Sequence, residues 1–367
     1  MVFSYLKLRK QEWLTFASAM KIQEKKNLRH LSLDEIKQVL EEQGEKSFRA
    51  TQVWEWIWQK GAASIDDMSN LSKELREKLK ENFDLYSISV DTIQRSSDGV
   101  VKVRFKTSDN FFIEGVLIPA IDRITACVSS QVGCSLTCTF CATGLMDRER
   151  NLTHDEIFDQ VVQLNKISEE QHGRRLTNIV FMGMGEPLLN YSNVIKAIDK
   201  ISAPDGLVIS PRRITVSTAG ISKMIRKLAD DKVRFRLALS LHAADDQKRS
   251  RLMPINQENN LESLTESLQY FWEKTGNRIS FEYVLFEGVN DTLQDAKNLV
   301  TLCKKFQLIH VNLIEYNRVQ GVPYKGLSFD KMEKFAAILE GYGLNATIRR
   351  SRGRDIDAAC GQLANKK

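Results

Sequence analysis

Three cysteines in one short stretch of the chain could bind a metal centre. Cys134, Cys138 and Cys141 have a C-x3-C-x2-C spacing directly after a predicted strand. Three thiolates this close in sequence converge only if the backbone wraps around a bound group, which makes an iron–sulfur cluster or zinc the leading ligand. Structural zinc sites and most iron–sulfur clusters take four protein ligands. A 4Fe-4S cluster held by this loop would therefore leave one iron open to a substrate or cofactor.

The spacing and the missing fourth ligand resemble those of the radical S-adenosylmethionine (SAM) superfamily. A protein of a different class also fits: a non-enzymatic zinc or iron–sulfur module, completed by Cys127 or His154. Iron and sulfide analysis with an ultraviolet–visible spectrum of anaerobically prepared protein separates the two, because stoichiometric zinc without cluster absorption would favour the module.

Polar residues follow several predicted strands in the second half of the chain. Since reactive groups gather at the carboxyl ends of parallel strands, we expect these residues on one rim. Each has a structural explanation on its own, because a glycine pair after a strand is usually a turn and a lone histidine is usually structural. Their joint placement beside the cysteine loop favours a site for a nucleotide-like ligand. The residues are Gly185, Glu186, Ser217, Ser240, Leu241, His242 and Asn317.

The remaining cysteines differ in their predicted roles. Cys360 lies near the carboxyl terminus between glycines and is preceded by two arginines. Nearby positive charge lowers the pKa of a thiol from its usual value of about 8.5, so Cys360 has the features of an activated nucleophile on a mobile segment. Cys127 lies on the first predicted barrel strand. Cys303 falls within the helical LVTLCKKF and is interpreted as a core residue.

The elements that must position these residues follow from periodicity. Residues 20–88 have apolar residues at helical spacing and predict a small amino-terminal helical accessory domain, with Ser32 and Glu35 as a capping box. Residues 89–120 alternate in polarity and predict a short antiparallel linker segment. Residues 121–360 repeat strand and helix, which implies parallel strands with right-handed crossovers.

The predicted fold class is α/β, with a partial (β/α)6 barrel, because six main units are too few to close an eight-stranded barrel. Predicted strands span 123–129, 178–183, 213–218, 234–242, 279–286, 310–316 and 345–350, and helices include 153–168 and 292–306. Residues 361–367 form a tail. Residues 1–19 fit poorly and suggest a start-site extension, with initiation at Met1 or at Met20.

Composition excludes several classes of protein. A chain of 367 residues with 42% hydrophobic and 27% charged residues is globular. It has no apolar run long enough to span a membrane and no signal peptide, so we expect a cytoplasmic protein whose clustered cysteines bind metal or do chemistry. The net charge of +6 is compatible with RNA binding. Local basic clusters are Arg212 and Arg213; Lys232, Arg234 and Arg236; Lys248, Arg249 and Arg251; and Arg349, Arg350, Arg352 and Arg354.

From about Asn27 onward the sequence resembles the radical SAM 23S rRNA (adenine-C2)-methyltransferase family, whose members in many cases also methylate tRNA. The matching stretches include FRATQVWEWIWQKG, CVSSQVGCSLTCTFCATG, FMGMGEPLLN, SPRRITVSTAGI, SLHA, VNLIEYN and SRGRDIDAACGQL. The resemblance implies a radical SAM barrel that holds a 4Fe-4S cluster on Cys134, Cys138 and Cys141 and uses two SAM molecules per turnover. It implies SAM contacts at the seven strand-end residues named above.

The resemblance also implies three catalytic roles. Cys360 would be methylated first, Cys127 would later form a transient disulfide with it, and Glu114 would be the general base. Glu114 stands in the alternating FFIEGVLIP, where the sequence alone predicts an exposed strand carboxylate. Implied partners are 23S rRNA in the peptidyl-transferase region, adenine 37 of tRNA, and a low-potential electron donor such as flavodoxin or ferredoxin. The nearest alternative is the relative that methylates carbon 8 of the same adenine.

Overall fold

The computed structural model of the chain describes residues 25–85, 88–307 and 309–365. The suggested start-site extension and the alternative start at Met20 lie outside these ranges. The chain divides into two units, with the boundary between residues 86 and 87. No helix among the described residues is both long enough and apolar enough to cross a membrane.

The amino-terminal unit is mainly helical. Strand β1 (Lys26–Asn27) precedes helices α1 (Leu33–Glu42), α2 (Phe48–Trp58) and α3 (Lys73–Asn82), and β2 (Phe83–Asp84) pairs with β1 in parallel. The predicted capping box is confirmed: the Ser32 hydroxyl accepts from the Glu35 amide, and the Glu35 carboxylate accepts from the Ser32 amide at 2.7 Å. Apolar residues spaced three and four apart face inward. The fully buried ones include Ile36, Leu40, Val53, Ile57, Trp58, Leu75 and Leu79.

The second unit begins with an antiparallel meander. It comprises β3 (Ile88–Arg95), β4 (Val101–Thr107), β5 (Phe112–Pro119) and β6 (Ile124–Cys127), each antiparallel to the one before it. These strands continue the main sheet. Strand β6 joins the antiparallel part of the sheet to its parallel part, because its other edge pairs in parallel with β9 (Asn178–Phe181).

The rest of the second unit alternates strands and helices. After the short strands β7 (Gln131–Val132) and β8 (Arg150–Asn151) come α4 (His154–His172), β9 (Asn178–Phe181), α5 (Tyr191–Ser202), β10 (Ile214–Thr218), α6 (Ser222–Asp230), β11 (Arg236–Ser240), α7 (Asp246–Leu252), α8 (Leu261–Thr275), β12 (Ile279–Leu285), α9 (Leu293–Cys303), β13 (Ile309–Glu315), α10 (Phe329–Gly341) and β14 (Asn345–Arg349). The fold class predicted from the sequence is confirmed.

Ten strands of the described chain form one open sheet in the order β14-β13-β12-β11-β10-β9-β6-β5-β4-β3. The strands from β6 to β14 are parallel to their neighbours, and helices connect them, so their carboxyl ends lie on one rim. Six of these strands form the predicted partial barrel, and β14 adds a seventh parallel strand. That common rim is where the sequence places its polar residues.

Candidate active site

The cysteine loop is closed at its base by a short strand pair. Strands β7 and β8 pair antiparallel, which brings the two ends of the intervening loop together. Within the loop, Phe140 packs against His242 and Phe286, at ring-centroid distances of 4.9 and 5.2 Å. The Ala142 amide donates to the Gly361 carbonyl at 2.8 Å. The loop is therefore anchored to the barrel core on one side and to the carboxyl-terminal tail on the other.

The three cysteines of the loop line one cavity at the carboxyl ends of the strands. Burial raises the pKa of Cys134 to about 11 and also raises the pKa of Cys138 and of Cys141. The neighbouring thiols raise the pKa of Cys138 further, which shows that the three sulfurs lie near one another. Coordination to iron deprotonates such thiols and so offsets the free-energy cost of forming thiolates in a buried site.

The donor set fits a cluster better than a single ion. Among the described residues, no group of three or more His, Cys, Asp or Glu side chains is placed to hold one metal ion. A structural zinc site would require its ligands to converge on one atom at about 2.0–2.3 Å, whereas a 4Fe-4S cluster spreads three cysteines over three irons. The loop supplies three thiols, one fewer than the four ligands of a structural zinc site.

Most of the strand-end residues singled out from the sequence share the cavity with the cysteines. Those that line it are Gly185, Glu186, Ser217, Ser240, His242 and Asn317. The side chain of Leu241 differs, because it is fully buried outside the lining. Its carbonyl accepts from Arg249 Nε at 3.2 Å, so its place in the structure is within the packed strand end.

Gly185 and Glu186 form a tight turn against Gln131. A Cβ added at Gly185, whose φ is +91°, would lie 2.4 Å from the Cβ of Gln131, so only glycine fits. The Glu186 amide donates to Gln131 Oε1 at 2.8 Å. The Glu186 carboxylate accepts from the amides of Leu188 and Ala219, although burial raises its pKa overall.

His242 is a neutral, structurally fixed residue on the cavity wall. Its Nδ1 accepts from the Val284 amide at 3.1 Å, and burial followed by the charge of Arg249 lowers its pKa to about 3. Nearby, the hydroxyls of Ser217 and Ser240 lie 3.3 Å apart on neighbouring strands.

Asn317 presents a buried acceptor without a partner. The residue is 4% exposed, and its Nδ2 donates to the carbonyls of Glu315 and Cys360. Its Oδ1 has no hydrogen-bond partner among the described residues. A ligand in the cavity that donates an N–H would satisfy this oxygen, and the amino groups of SAM are such donors.

Arg249, which the sequence placed in a basic cluster, is not a surface residue. It is completely buried, and burial lowers its pKa to about 10. The guanidinium donates to Asn256 Oδ1 at 2.7 Å and to the Ala219 carbonyl at 2.6 Å, as well as to carbonyls at the end of β11. The interpretation of Arg249 as part of an RNA-binding face was wrong, because its donors fix the strand ends around the cavity.

Cys360 lies at the same cavity as the three loop cysteines. The residue is exposed to the cavity, but protein atoms surround its thiol closely. These surroundings raise the pKa of the thiol, and the charge of Glu282 raises it further. The expectation that the preceding arginines lower its pKa was wrong. Arg352 pairs with Asp98 and Arg354 with Glu315, so neither charge is directed at the thiol; Arg349 is the cation that opposes the shift.

Cys127 ends β6 and is buried outside the cavity lining. Burial raises its pKa, and the charge of Cys360 raises it further. Both are free thiols in the structure, and a disulfide between them is not supported. Cys303 is buried in α9, as the sequence predicts.

Glu114 also lies outside the cavity lining, and it is not the exposed carboxylate that the strand pattern alone predicts. It is completely buried on β5, and its Oε1 lies 3.3 Å from the Nζ of buried Lys102. Its Oε2 accepts from the amides of Ala364 and Asn365 at 2.9 and 3.2 Å. The carboxyl-terminal tail therefore covers this carboxylate.

Sequence reasoning missed Lys102, Glu282 and Thr143. Lys102 and Glu114 stand on one face of a predicted hairpin, which is a signal that could have paired them. Thr143 Oγ1 donates to the Leu363 carbonyl at 2.7 Å and so fixes the tail to the cysteine loop. Glu282 lines the cavity near Cys360, but nothing local in the sequence marks it.

Comparison with known proteins decides the family. Residues 26–85 match the model of the ribosomal RNA large subunit methyltransferase N-terminal domain, and residues 128–300 match the radical SAM superfamily. A Cytophaga hutchinsonii protein named probable dual-specificity RNA methyltransferase RlmN is 55% identical over 343 residues, covering 94% of each chain. A protein of the same name from Christiangramia forsetii is 52% identical over 93% of this chain and 97% of that protein.

The chain belongs to the RlmN family.

A solved structure agrees with this assignment. The crystal structure of a radical SAM methyltransferase from Sphaerobacter thermophilus matches with a TM-score of 0.88 and 40% identity, over 93% of this chain and 100% of that one. The protein is therefore a radical SAM RNA methyltransferase with ribosomal RNA as a substrate. Its superfamily implies SAM and a 4Fe-4S cluster as cofactors. This removes the non-enzymatic metal module from consideration.

Proposed function

We propose that the protein methylates carbon 2 of an adenine in 23S rRNA, in the peptidyl-transferase region, and adenine 37 of tRNA, through a methylated Cys360. The observation that carries the proposal is that Cys360 and the three loop cysteines line the same cavity. The name "dual-specificity" carried by the similar proteins supports two classes of RNA substrate.

The cavity supplies the binding groups for both cofactors. Cys134, Cys138 and Cys141 would hold the 4Fe-4S cluster, and its one iron without a thiolate would be available to SAM. The residues proposed to contact SAM are Gly185, Glu186, Ser217, Ser240, Leu241, His242 and Asn317. When bound and reduced by a donor such as flavodoxin or ferredoxin, the cluster supplies the electron that cleaves SAM to a 5′-deoxyadenosyl radical.

Cys360 acts as the carrier of one carbon. Carbon 2 of adenine is electron-poor, so a methyl cation is not transferred to it directly. Instead the Cys360 thiolate attacks the methyl group of a first SAM, forming the sulfur–carbon bond as the sulfonium bond breaks and S-adenosylhomocysteine leaves. A second SAM, bound in the same cavity, would supply the radical that removes one hydrogen atom from the methyl group on Cys360, and the carbon held on Cys360 would then add to the ring.

Glu114 and Cys127 complete the reaction. The covalent adduct is a radical and would return one electron to the cluster, which had given one up in the cleavage of SAM, and Glu114 would accept the proton from the ring carbon. The Cys127 thiolate then attacks the sulfur of Cys360; the sulfur–carbon bond breaks, the carbon takes up a proton to become the methyl group, and a Cys127–Cys360 disulfide forms. A dithiol reductant restores both thiols by exchange. The effect of the Cys360 charge on the pKa of Cys127 supports this step.

The substitution Cys127→Ala tests the release step. It should leave a covalent protein–RNA adduct that denaturing gel electrophoresis detects, whereas Cys360→Ala should form none, because it has no sulfur to carry the carbon. Cys303→Ala is the matched control, since that thiol is buried in α9, outside the cavity. Normal turnover of Cys127→Ala without an adduct would contradict the proposal.

The position of the new methyl group is tested separately. Mass mapping of methyladenosine isomers in rRNA and tRNA from a complemented knockout should find 2-methyladenosine in both. Methyl groups on carbon 8 would assign the chain to the other branch of the family, and unmodified tRNA would restrict it to rRNA.

A further inference from the structure

Three arginines stand at the amino-terminal ends of adjacent strands, opposite the catalytic rim. Arg213 directly precedes β10, Arg236 is the first residue of β11, and Arg278 directly precedes β12. The three strands are neighbours in the sheet and parallel, and their register aligns Thr215 with Arg236 and Leu237 with Ile279. Neighbouring strands lie about 4.8 Å apart, so Arg236 and Arg278 are level with each other. Arg213 lies two residues before Thr215, the partner of Arg236, so the three arginines form a slanted row.

The arginines of this row lack the carboxylate partners that other arginines of the chain have. All three are exposed, and none of their side chains forms a hydrogen bond or an ion pair with another described residue. By contrast, Arg175 pairs with Glu169 at 3.2 Å and Arg226 pairs with Glu266 at 3.3 Å. The positive charges of the row are therefore available to an external anion.

The row is also electrostatically unfavourable by itself. Partial burial, followed by the charges of Arg278 and Arg213, lowers the pKa of Arg236. Burial and the charge of Arg278 likewise lower the pKa of His310 on the next strand. Clustered like charges repel one another, and a bound anion would relieve this repulsion.

Behind the row, a cavity enters the barrel from the same side. Arg236, Arg278, His310 and Arg349 line it, and Glu282 lies at its inner end. Glu282 is 3% exposed and also lines the catalytic cavity, so its side chain is common to the two cavities.

We propose that Arg213, Arg236 and Arg278 bind consecutive phosphodiester groups of the RNA substrate. The proposal rests on the proposed function, because it requires that the substrate is RNA. A row of exposed guanidinium groups matches a polyanionic backbone better than a single small anion, since each group can form a bidentate pair with a phosphate. Such contacts position the substrate without reading its sequence.

The test measures the affinity of the holoenzyme for a substrate RNA fragment by fluorescence anisotropy over a series of salt concentrations. Each phosphate contact contributes about 0.7–0.9 to the slope of log affinity against log salt. The triple variant R213Q/R236Q/R278Q should therefore bind RNA more weakly at low salt, with a slope reduced by about 2. The matched control, Arg226→Gln, removes a paired arginine and should leave the slope as in the wild type.

Further measurements separate the alternatives. The triple lysine variant keeps the charges and should keep most of the slope, which distinguishes loss of phosphate contacts from misfolding. An unchanged slope in the glutamine variant would overturn the proposal. A second result would also overturn the proposal, in favour of a site for a small anion. In that case the triple glutamine variant would lose binding of inorganic phosphate, while the salt dependence of its RNA binding would be unchanged. The absence of methylated Cys360 in wild-type protein would contradict the proposed reaction but not the proposed contact between the three arginines and RNA.

Discussion

Replacement of Lys102 with methionine should destabilise the fold, because it leaves a buried carboxylate without its cation. Lys102 Nζ lies 3.3 Å from Glu114 Oε1, and the two side chains are 4% and 1% exposed. Removal of one partner of a buried ion pair costs about 3–5 kcal/mol. Glu114 keeps two backbone donors on its other oxygen, from the tail. We therefore expect a loss near the lower end of this range, about 3 kcal/mol.

Equilibrium unfolding in urea measures this loss. Lys106→Met is the matched control, because Lys106 lies on the same strand, is only half-buried and does not pair with a buried carboxylate, and it should cost less than about 1 kcal/mol. The double variant Lys102→Met/Glu114→Gln should be more stable than the sum of the single losses predicts, by about 1–3 kcal/mol. Additive losses, or a Lys102→Met variant as stable as the control, would refute the buried pair.

Three other predictions concern the cavity. Burial raises the pKa of Cys360, so the fraction of thiolate is low at neutral pH. The rate of Cys360 methylation by SAM, measured by rapid-quench mass spectrometry, should therefore keep rising with pH beyond the ordinary thiol pKa. A rate that reaches its plateau below the ordinary thiol pKa would contradict the burial. Gly185→Ala would place a Cβ 2.4 Å from the side chain of Gln131. It should therefore lower the free energy of unfolding by about 1–3 kcal/mol and weaken SAM binding measured by calorimetry. Stability and SAM affinity equal to those of the wild type would be inconsistent with the tight turn. Arg249→Met removes four hydrogen bonds that the guanidinium donates at the strand ends. It should lower the free energy of unfolding by about 2–4 kcal/mol. An unchanged free energy of unfolding would mean that the strand ends do not depend on Arg249.

The sequence predicts those features that local pattern determines. Strand β10 lies at Ile214–Thr218 against a predicted 213–218, because a short segment rich in β-branched Ile, Thr and Val is sufficient to locate a strand. The cysteine motif is equally local, and three ligands within one loop remain together in almost any fold. The capping box at Ser32 needs only the four residues that form it.

Features that depend on distant parts of the chain could not be predicted in this way. Glu114 is buried because residues 364–365 cover it, which no pattern near Glu114 indicates. Arg352 and Arg354 are close to Cys360 in sequence, yet Asp98 and Glu315 from other segments attract their charges. Arg249 resembles its basic neighbours in the sequence, and only the packing of strand ends around it shows that it is buried.

The most direct test of the account is the mass of the peptide that contains Cys360, in protein purified anaerobically from cells. The account predicts that this peptide is heavier than its sequence mass by one CH2 group, with fragmentation placing the methyl group on the sulfur, and that Cys127 is unmodified. An unmodified Cys360 in protein that nevertheless methylates RNA would contradict the claim that this thiol carries the carbon.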